Sequence, residues 1–292
     1  MSLVSPKTLL RRLGLRPKKS WGQHFLVHPH QARRLAAALD LRGDETVVEI
    51  GAGLGALTVA LAQTAGRVVA LEMDPALARF LAEELFPEAP HVEVICRDVL
   101  EFDFRLLSRE VGAPLTVAGN LPYQITSPLL FKLIQELPAI YLAVLMMQQE
   151  VGDRLLASPG TRDYGILSVL MQYHFSLKRL FTLSPTNFYP PPQVSSVVLR
   201  LKPGSPHPRA RDEALLARVV KAAFGQRRKT LNNTLVAKAP AFGLSPGELR
   251  AALEELGVDP LRRGETLAVA EFVALSNAIA VRVEEGAPRE AG

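Results

Sequence analysis

The stretch "TVVEIGAGLGALT", Thr46 to Thr58, decides the fold. Thr46–Ile50 is an apolar run of strand length, and Gly51, Gly53 and Gly55 follow before a helical pattern resumes. Glycines there permit a tight turn and let a ligand approach the backbone at a helix start. Alone, such a turn is weak evidence. However, the next strand-length run, "RVVALEMDP", ends in Glu72 roughly twenty residues on, where a carboxylate can accept hydrogen bonds from ribose hydroxyls. Together they predict a nucleoside lying across an open sheet.

Working outward, "TVVEI", "RVVALEM", "VEVICRD", "LTVAGN" and "YLAVLMMQ" alternate with helical patterns such as "PALARFLAEEL" and "SPLLFKLIQEL". Alternation of this kind predicts an α/β fold, a parallel sheet with helices on both faces. Its strands are nearly all apolar, as two covered faces require. "SLKRLFTL" and "SSVVLRL" read as further strands. Cys96, the single cysteine, reads as a small buried side chain on a strand. One cysteine excludes an internal disulfide framework and fits a reducing cytoplasm.

After Leu201 the composition changes. "KPGSPHPRAR" is a proline-rich, basic linker, and the patterns beyond it are helical, with Ser245 as a cap and Pro246 in the first turn. The expected organisation is a basic arm at 1–22, the α/β domain at 23–201, the linker at 202–211, a small all-helical domain at 212–283 and a tail at 284–292.

The net charge of +5 matters through its placement: "RRLGLRPKKS" (Arg11–Ser20) and "QRRK" (Gln226–Lys229) concentrate it. A basic run is usually a solvated face, but two clusters on a globular chain suit a polyanionic partner. No apolar run approaches a membrane span, and charges stand where a signal peptide would need an apolar stretch. A cytoplasmic protein without a membrane partner is expected.

A dinucleotide fingerprint would place its third glycine at position 56, which is Ala56. "EIGAGLG" instead resembles the glycine motif of S-adenosylmethionine-dependent methyltransferases, whose loop leaves no room for a pyrophosphate. "VICRDVLEFDF" supplies Asp98 and Val99. Read alone, Asp98 caps the next helix as readily as it binds a ligand. In that family an Asp here meets the cofactor's adenine amino group, and the next backbone N–H meets a ring nitrogen.

"VAGNLPYQITSP" follows the fourth strand, at the same carboxyl edge. Alone it is a turn with a tyrosine. Asn120-Leu121-Pro122-Tyr123 is also similar to the catalytic motif of amino-methyltransferases. An exocyclic amine on a base is a poor nucleophile, because its lone pair is delocalised into the ring. Two acceptors aimed at its hydrogens, the Asn120 side-chain oxygen and the Leu121 carbonyl, would draw it out of plane and steady the growing charge. Pro122 would brace the turn and Tyr123 would stack on a base taken out of its helix. "NFYPPPQVSS" offers Phe188 before three prolines, a position more often used for packing than for clamping a base.

The stretches in series resemble the ribosomal RNA adenine N6,N6-dimethyltransferases over nearly the whole chain. "KKSWGQHFL", "EIGAGLGALT", "LEMDP", "RDVLEF", "NLPYQITSP" and "FYPPPQVSSVVLRL" come in family order, and "FGQRRKTLNNTL" is similar to the signature of the small-subunit branch. The resemblance implies a Rossmann-like class I methyltransferase with a small helical C-terminal domain. Its cofactor would be S-adenosylmethionine, leaving S-adenosylhomocysteine. Its substrate would be two adjacent adenosines in the 3′-terminal hairpin loop of 16S rRNA, within the 30S particle or its precursor, acted on by a monomer. Cofactor contacts carry over to Gln23, His24, Leu26, Gly51, Gly53, Glu72, Asp98, Val99 and Asn120. Target-base roles carry over to Asn120, Leu121, Tyr123 and Phe188, and RNA phosphates would be gripped by Arg227, Arg228 and Lys229 on a helical scaffold.

Members of the family often have Asn at the position of His24. His24, His28 and His30 could be read as a metal cluster, but no acid or cysteine completes it at ligand spacing, so no metal is expected. The rivals are a large-subunit rRNA adenine N6-methyltransferase of the antibiotic-resistance type, a DNA adenine methyltransferase, a non-catalytic ribosome-assembly factor and a nicotinamide oxidoreductase. The last lacks a hydride-transfer partner.

Overall fold

The computed structural model describes residues 4–204 and 208–286. The chain forms two compact units, one of residues up to Gly152 with Phe175–Pro203, the other of Asp153–His174 with Gly204 onward.

The first unit contains strands β1 (Phe25–Leu26), β2 (Thr46–Ile50), β3 (Arg67–Glu72), β4 (Val92–Cys96), β5 (Leu115–Asn120), β6 (Ile140–Gln148), β7 (Phe175–Leu183), β8 (Phe188–Tyr189) and β9 (Ser196–Pro203). Its helices are α1 (Pro6–Arg12), α2 (Pro29–Ala37), α3 (Ala56–Leu61), α4 (Pro75–Phe80), α5 (Phe104–Val111) and α6 (Thr126–Gln135). Seven strands form one sheet in the order β4-β3-β2-β5-β6-β9-β7. β2 to β6 are parallel, and β9 and β7 add to β6 in antiparallel fashion. This is the Rossmann-like arrangement expected, with the order reversing between β2 and β5, where α/β sheets bind ligands.

The central strands are buried on both faces: Val47, Val48, Val68, Val69, Val117 and Ala118 are wholly inaccessible. The edge strand β4 departs from that rule, and Cys96 at its end is exposed rather than buried. At the reversal point β2 and β5 approach so closely that a Cβ on Gly119 would lie 2.7 Å from the Ile50 carbonyl oxygen. Only glycine fits there.

The described part of the expected arm, residues 4–22, packs into the first unit rather than standing apart. Ser5 caps α1 through Thr8 N, and Leu10 is buried in an apolar cluster with Leu77, Phe80 and Leu81. Arg12 adds an ion pair to Glu84 at 2.7 Å.

Helix α7 (Gln149–Leu155) begins in the first unit and ends in the second, which continues with α8 (Ile166–His174), α9 (Glu213–Ala223), α10 (Leu231–Thr234), α11 (Pro246–Glu255) and α12 (Val269–Gly286). The expected boundary at 202–211 misses residues 153–174, which pack with the C-terminal helices. Tyr164 is almost wholly buried against Phe224, which stacks on Phe272. The Tyr173 hydroxyl accepts from Ala210 N at 3.0 Å. Three residues of the expected linker, 205–207, and most of the expected tail, 287–292, lie outside the described residues.

"RKTLNNTLV" is helical only in part. Leu231 N and Asn232 N donate to the carbonyls of Arg262 and Pro260, which confines α10 to a single turn. Gln226–Lys229 lies in the turn before it, not on a helix.

Candidate active site

A cavity of about 210 Å³ opens at the carboxyl ends of β2, β3, β4 and β5. All nine residues expected to meet the cofactor line it: Gln23, His24, Leu26, Gly51, Gly53, Glu72, Asp98, Val99 and Asn120.

The floor is the glycine loop. Gly51, Gly53 and Gly55 have φ of 71°, 58° and 79°, a region L side chains rarely adopt. Gly51 N and Ala52 N both donate to the Leu71 carbonyl, fastening the loop to β3. Gly53 N donates to Glu72 Oε2 at 2.7 Å, and Asp74 N donates to Glu72 Oε1 at 2.8 Å. Burial raises the Glu72 pKa, and these backbone donors oppose the rise. Glu72 therefore shapes the loop as well as facing the cavity.

Asp98 is placed for both readings that its sequence left open. Its Oδ1 accepts from Leu100 N at 2.9 Å, capping a short turn, and the residue also lines the cavity.

The remaining wall is Ser20–Leu26. Asp74 holds it: Lys18 Nζ lies 2.8 Å from Asp74 Oδ2, and Gln23 Nε2 donates to the same oxygen at 3.3 Å. Burial opposes ionisation of Asp74, yet the Lys18 hydrogen bond and the donors at Ala76 and Gln23 outweigh it and keep the pKa below the ordinary value. Gln23 Oε1 accepts from Lys18 N at 2.9 Å, so both ends of that amide tether the segment.

Asn120 ends β5. Its Nδ2 donates to the His24 carbonyl at 2.9 Å, and since a carbonyl only accepts, the side-chain oxygen is left as an acceptor. Leu121 N bonds to Met146 O at 2.9 Å, anchoring the corner to β6. Tyr123 is half-buried, its hydroxyl 3.3 Å from Ser196 Oγ.

Phe188 is 3% exposed, pairs with Leu26 in the β1–β8 ribbon and belongs to the apolar core; it does not line the cavity. Arg227 is likewise committed: its Nε lies 2.7 Å from Glu265 Oε2, and its guanidinium also donates to the Arg162 carbonyl. Arg228 and Lys229 are exposed, with no side-chain bond among the described residues.

Glu49 is a site residue that sequence reasoning missed. It is 2% exposed near the end of β2 and lines the cavity beside the buried Thr58 side chain, with no hydrogen bond of ordinary geometry to its Oε2 among the described residues. Burial pushes its pKa up to about 8. The signal was a carboxylate inside an otherwise apolar strand, "TVVEI". A buried carboxyl at Glu49, the acids Glu72 and Asp98 and an open glycine loop suit a nucleoside cofactor such as S-adenosylmethionine.

Relatives agree with this geometry. A "Ribosomal RNA small subunit methyltransferase A" of Geobacter metallireducens is 46% identical over 272 residues, spanning 92% of this chain and 98% of its own. A dimethyladenosine transferase from Plasmodium falciparum shares the fold with a TM-score of 0.74 at 24% identity, covering 86% of this chain and 96% of that one. The 23S rRNA methyltransferase ErmE gives 0.66 at 26% identity, covering 88% and 99%. The profile of the ribosomal RNA adenine dimethylases matches residues 14–280, and the chain belongs to that family.

Proposed function

We propose that this enzyme dimethylates the N6 amino groups of two adjacent adenosines in the 3′-terminal hairpin loop of 16S rRNA, acting as a monomer in the cytoplasm on the 30S particle or its precursor. The observation that carries the reading is the orientation of Asn120, whose amide nitrogen is bound by the His24 carbonyl so that its oxygen is available to an amine. The cofactor is S-adenosylmethionine, which when bound supplies an electrophilic methyl group on sulfur and leaves as S-adenosylhomocysteine. Glu72 would hold its ribose hydroxyls, and Asp98 with the Val99 backbone would hold its adenine.

Asn120 Oδ1 and the Leu121 carbonyl accept the N6 hydrogens, so the nitrogen lone pair turns away from the ring and towards the methyl group. Each methyl transfer would release one N6 proton, which the open cavity lets pass to solvent. Tyr123 stacks on the extruded base, an interaction worth about 1–3 kcal/mol. Arg228 and Lys229 bind RNA phosphates. The small-subunit reading is supported over the large-subunit one by 46% identity to a small-subunit enzyme against 26% to a large-subunit enzyme.

The test is incubation with labelled S-adenosylmethionine and under-methylated 30S particles, followed by mapping of the methyl groups. Two adjacent dimethyladenosines are expected, and none with Asn120→Ala. Methylation of 50S precursors instead rejects the substrate, and near wild-type turnover by the variant rejects the mechanism.

A further inference from the structure

His24 stands where three segments of the first unit meet. Its ring Nδ1 lies 2.7 Å from the Pro190 carbonyl oxygen, which can only accept, so Nδ1 carries the hydrogen and donates. Its ring centroid is 5.5 Å from that of Tyr123 with the planes 30° apart, within the range of favourable ring contacts. At the other end of Tyr123, the hydroxyl meets Ser196 Oγ, and Ser196 is 1% exposed on β9. The tyrosine ring is thus held beside one ring plane and tethered at its tip. The bond to Asn120 comes from the backbone carbonyl of His24, so replacing the imidazole leaves that bond in place.

We propose that the His24 side chain is a positioning residue for the target base: with Ser196 it fixes the plane of Tyr123 on which the adenine stacks, and through Pro190 it ties that corner to the loop after β8. The proposal rests on the reading of Tyr123 as the stacking surface. It departs from the expectation that His24 serves the cofactor.

The test uses the full chain and 30S particles carrying 2-aminopurine at a target adenosine. Tyr123→Ala and wild type define the unstacked and stacked emission. His24→Ala is expected to move the emission towards the Tyr123→Ala value and to lower kcat roughly 10- to 100-fold on unmodified particles, as a misplaced reacting group does. Its Kd for S-adenosylmethionine and its Tm should stay near wild type. His24→Asn, which can return an N–H towards Pro190, should restore most of both signals, and Ser196→Ala should shift emission in the same direction as His24→Ala.

Wild-type emission from His24→Ala, with Tyr123→Ala clearly brighter, overturns the proposal alone. Equal emission from wild type and Tyr123→Ala overturns the stacking reading and the proposal with it. A rise in cofactor Kd that matches the fall of kcat in His24→Ala makes the side chain a cofactor ligand and also overturns the proposal.

Discussion

Glu49 carries a carboxyl group to a place that water does not reach, and its proton follows. The unfolded chain releases that proton near the ordinary carboxylate value of 4.5, whereas the folded chain holds it to about 8. The folded state therefore binds more protons between those values, so the stability due to this group is complete below the lower one and is lost as pH rises towards the upper. For Glu49→Gln, thermal denaturation should show a Tm that gains on wild type from about pH 5 to about pH 8. A gap that does not change with pH rejects the assignment. At this scale the cavity residues Gly51, Gly53, Glu72, Asp98, Val99 and Asn120 were legible, because each stands at or just after a strand end and those ends share one edge, whereas Gln23, His24 and Leu26 came only from the resemblance. Glu49 was not, since its neighbours in "TVVEI" read as core. For Phe188 the sequence offered packing or base contact, and its burial depends on a partner, Leu26, that lies far away in the chain.

Among elements, α11 shows how far local chemistry alone can specify structure. Ser245 Oγ accepts from Glu248 N at 3.2 Å and Glu248 Oε2 accepts from Ser245 N at 2.7 Å, a reciprocal cap with Pro246 in the first turn. Ser245→Ala should cost about 1 kcal/mol in chemical denaturation without changing turnover. An unchanged midpoint argues against the cap. The strands of the main sheet were equally readable, as continuous apolar runs. The turn at Gln226–Lys229 and the brevity of α10 were not, because backbone donors at Leu231 and Asn232 are satisfied by residues 260–262, a non-local bond that overrides helix preference. The β1–β8 ribbon is too short for any period to register.

Across the whole molecule, the basic surplus has to be discounted for charges already engaged. Arg227 is paired with Glu265, whereas Arg228 and Lys229 have no such partner among the described residues. Arg228→Ala with Lys229→Ala should therefore weaken 30S binding and reduce the salt slope by about one for each phosphate left without its cation. Arg227→Ala should act chiefly on Tm. Equal slopes in wild type and the double variant would remove these residues from the RNA interface. No helix among the described residues is long and apolar enough to cross a membrane. The division into units was only half legible: the proline-rich linker marked one crossing of the chain, while the excursion through 153–174 carries no compositional change to announce it.

Gly119 lies between the glycine loop and the Asn120 corner, and the lack of room for a Cβ against the Ile50 carbonyl makes the spacing there a property of main chain alone. A ruler built from two backbones does not stretch when side chains around it drift over generations or rearrange with temperature. The span between the glycine loop and Asn120 is thereby insulated from the rest of the core, which is free to vary in composition. Gly119 itself has no such freedom, although it bears no chemistry of its own.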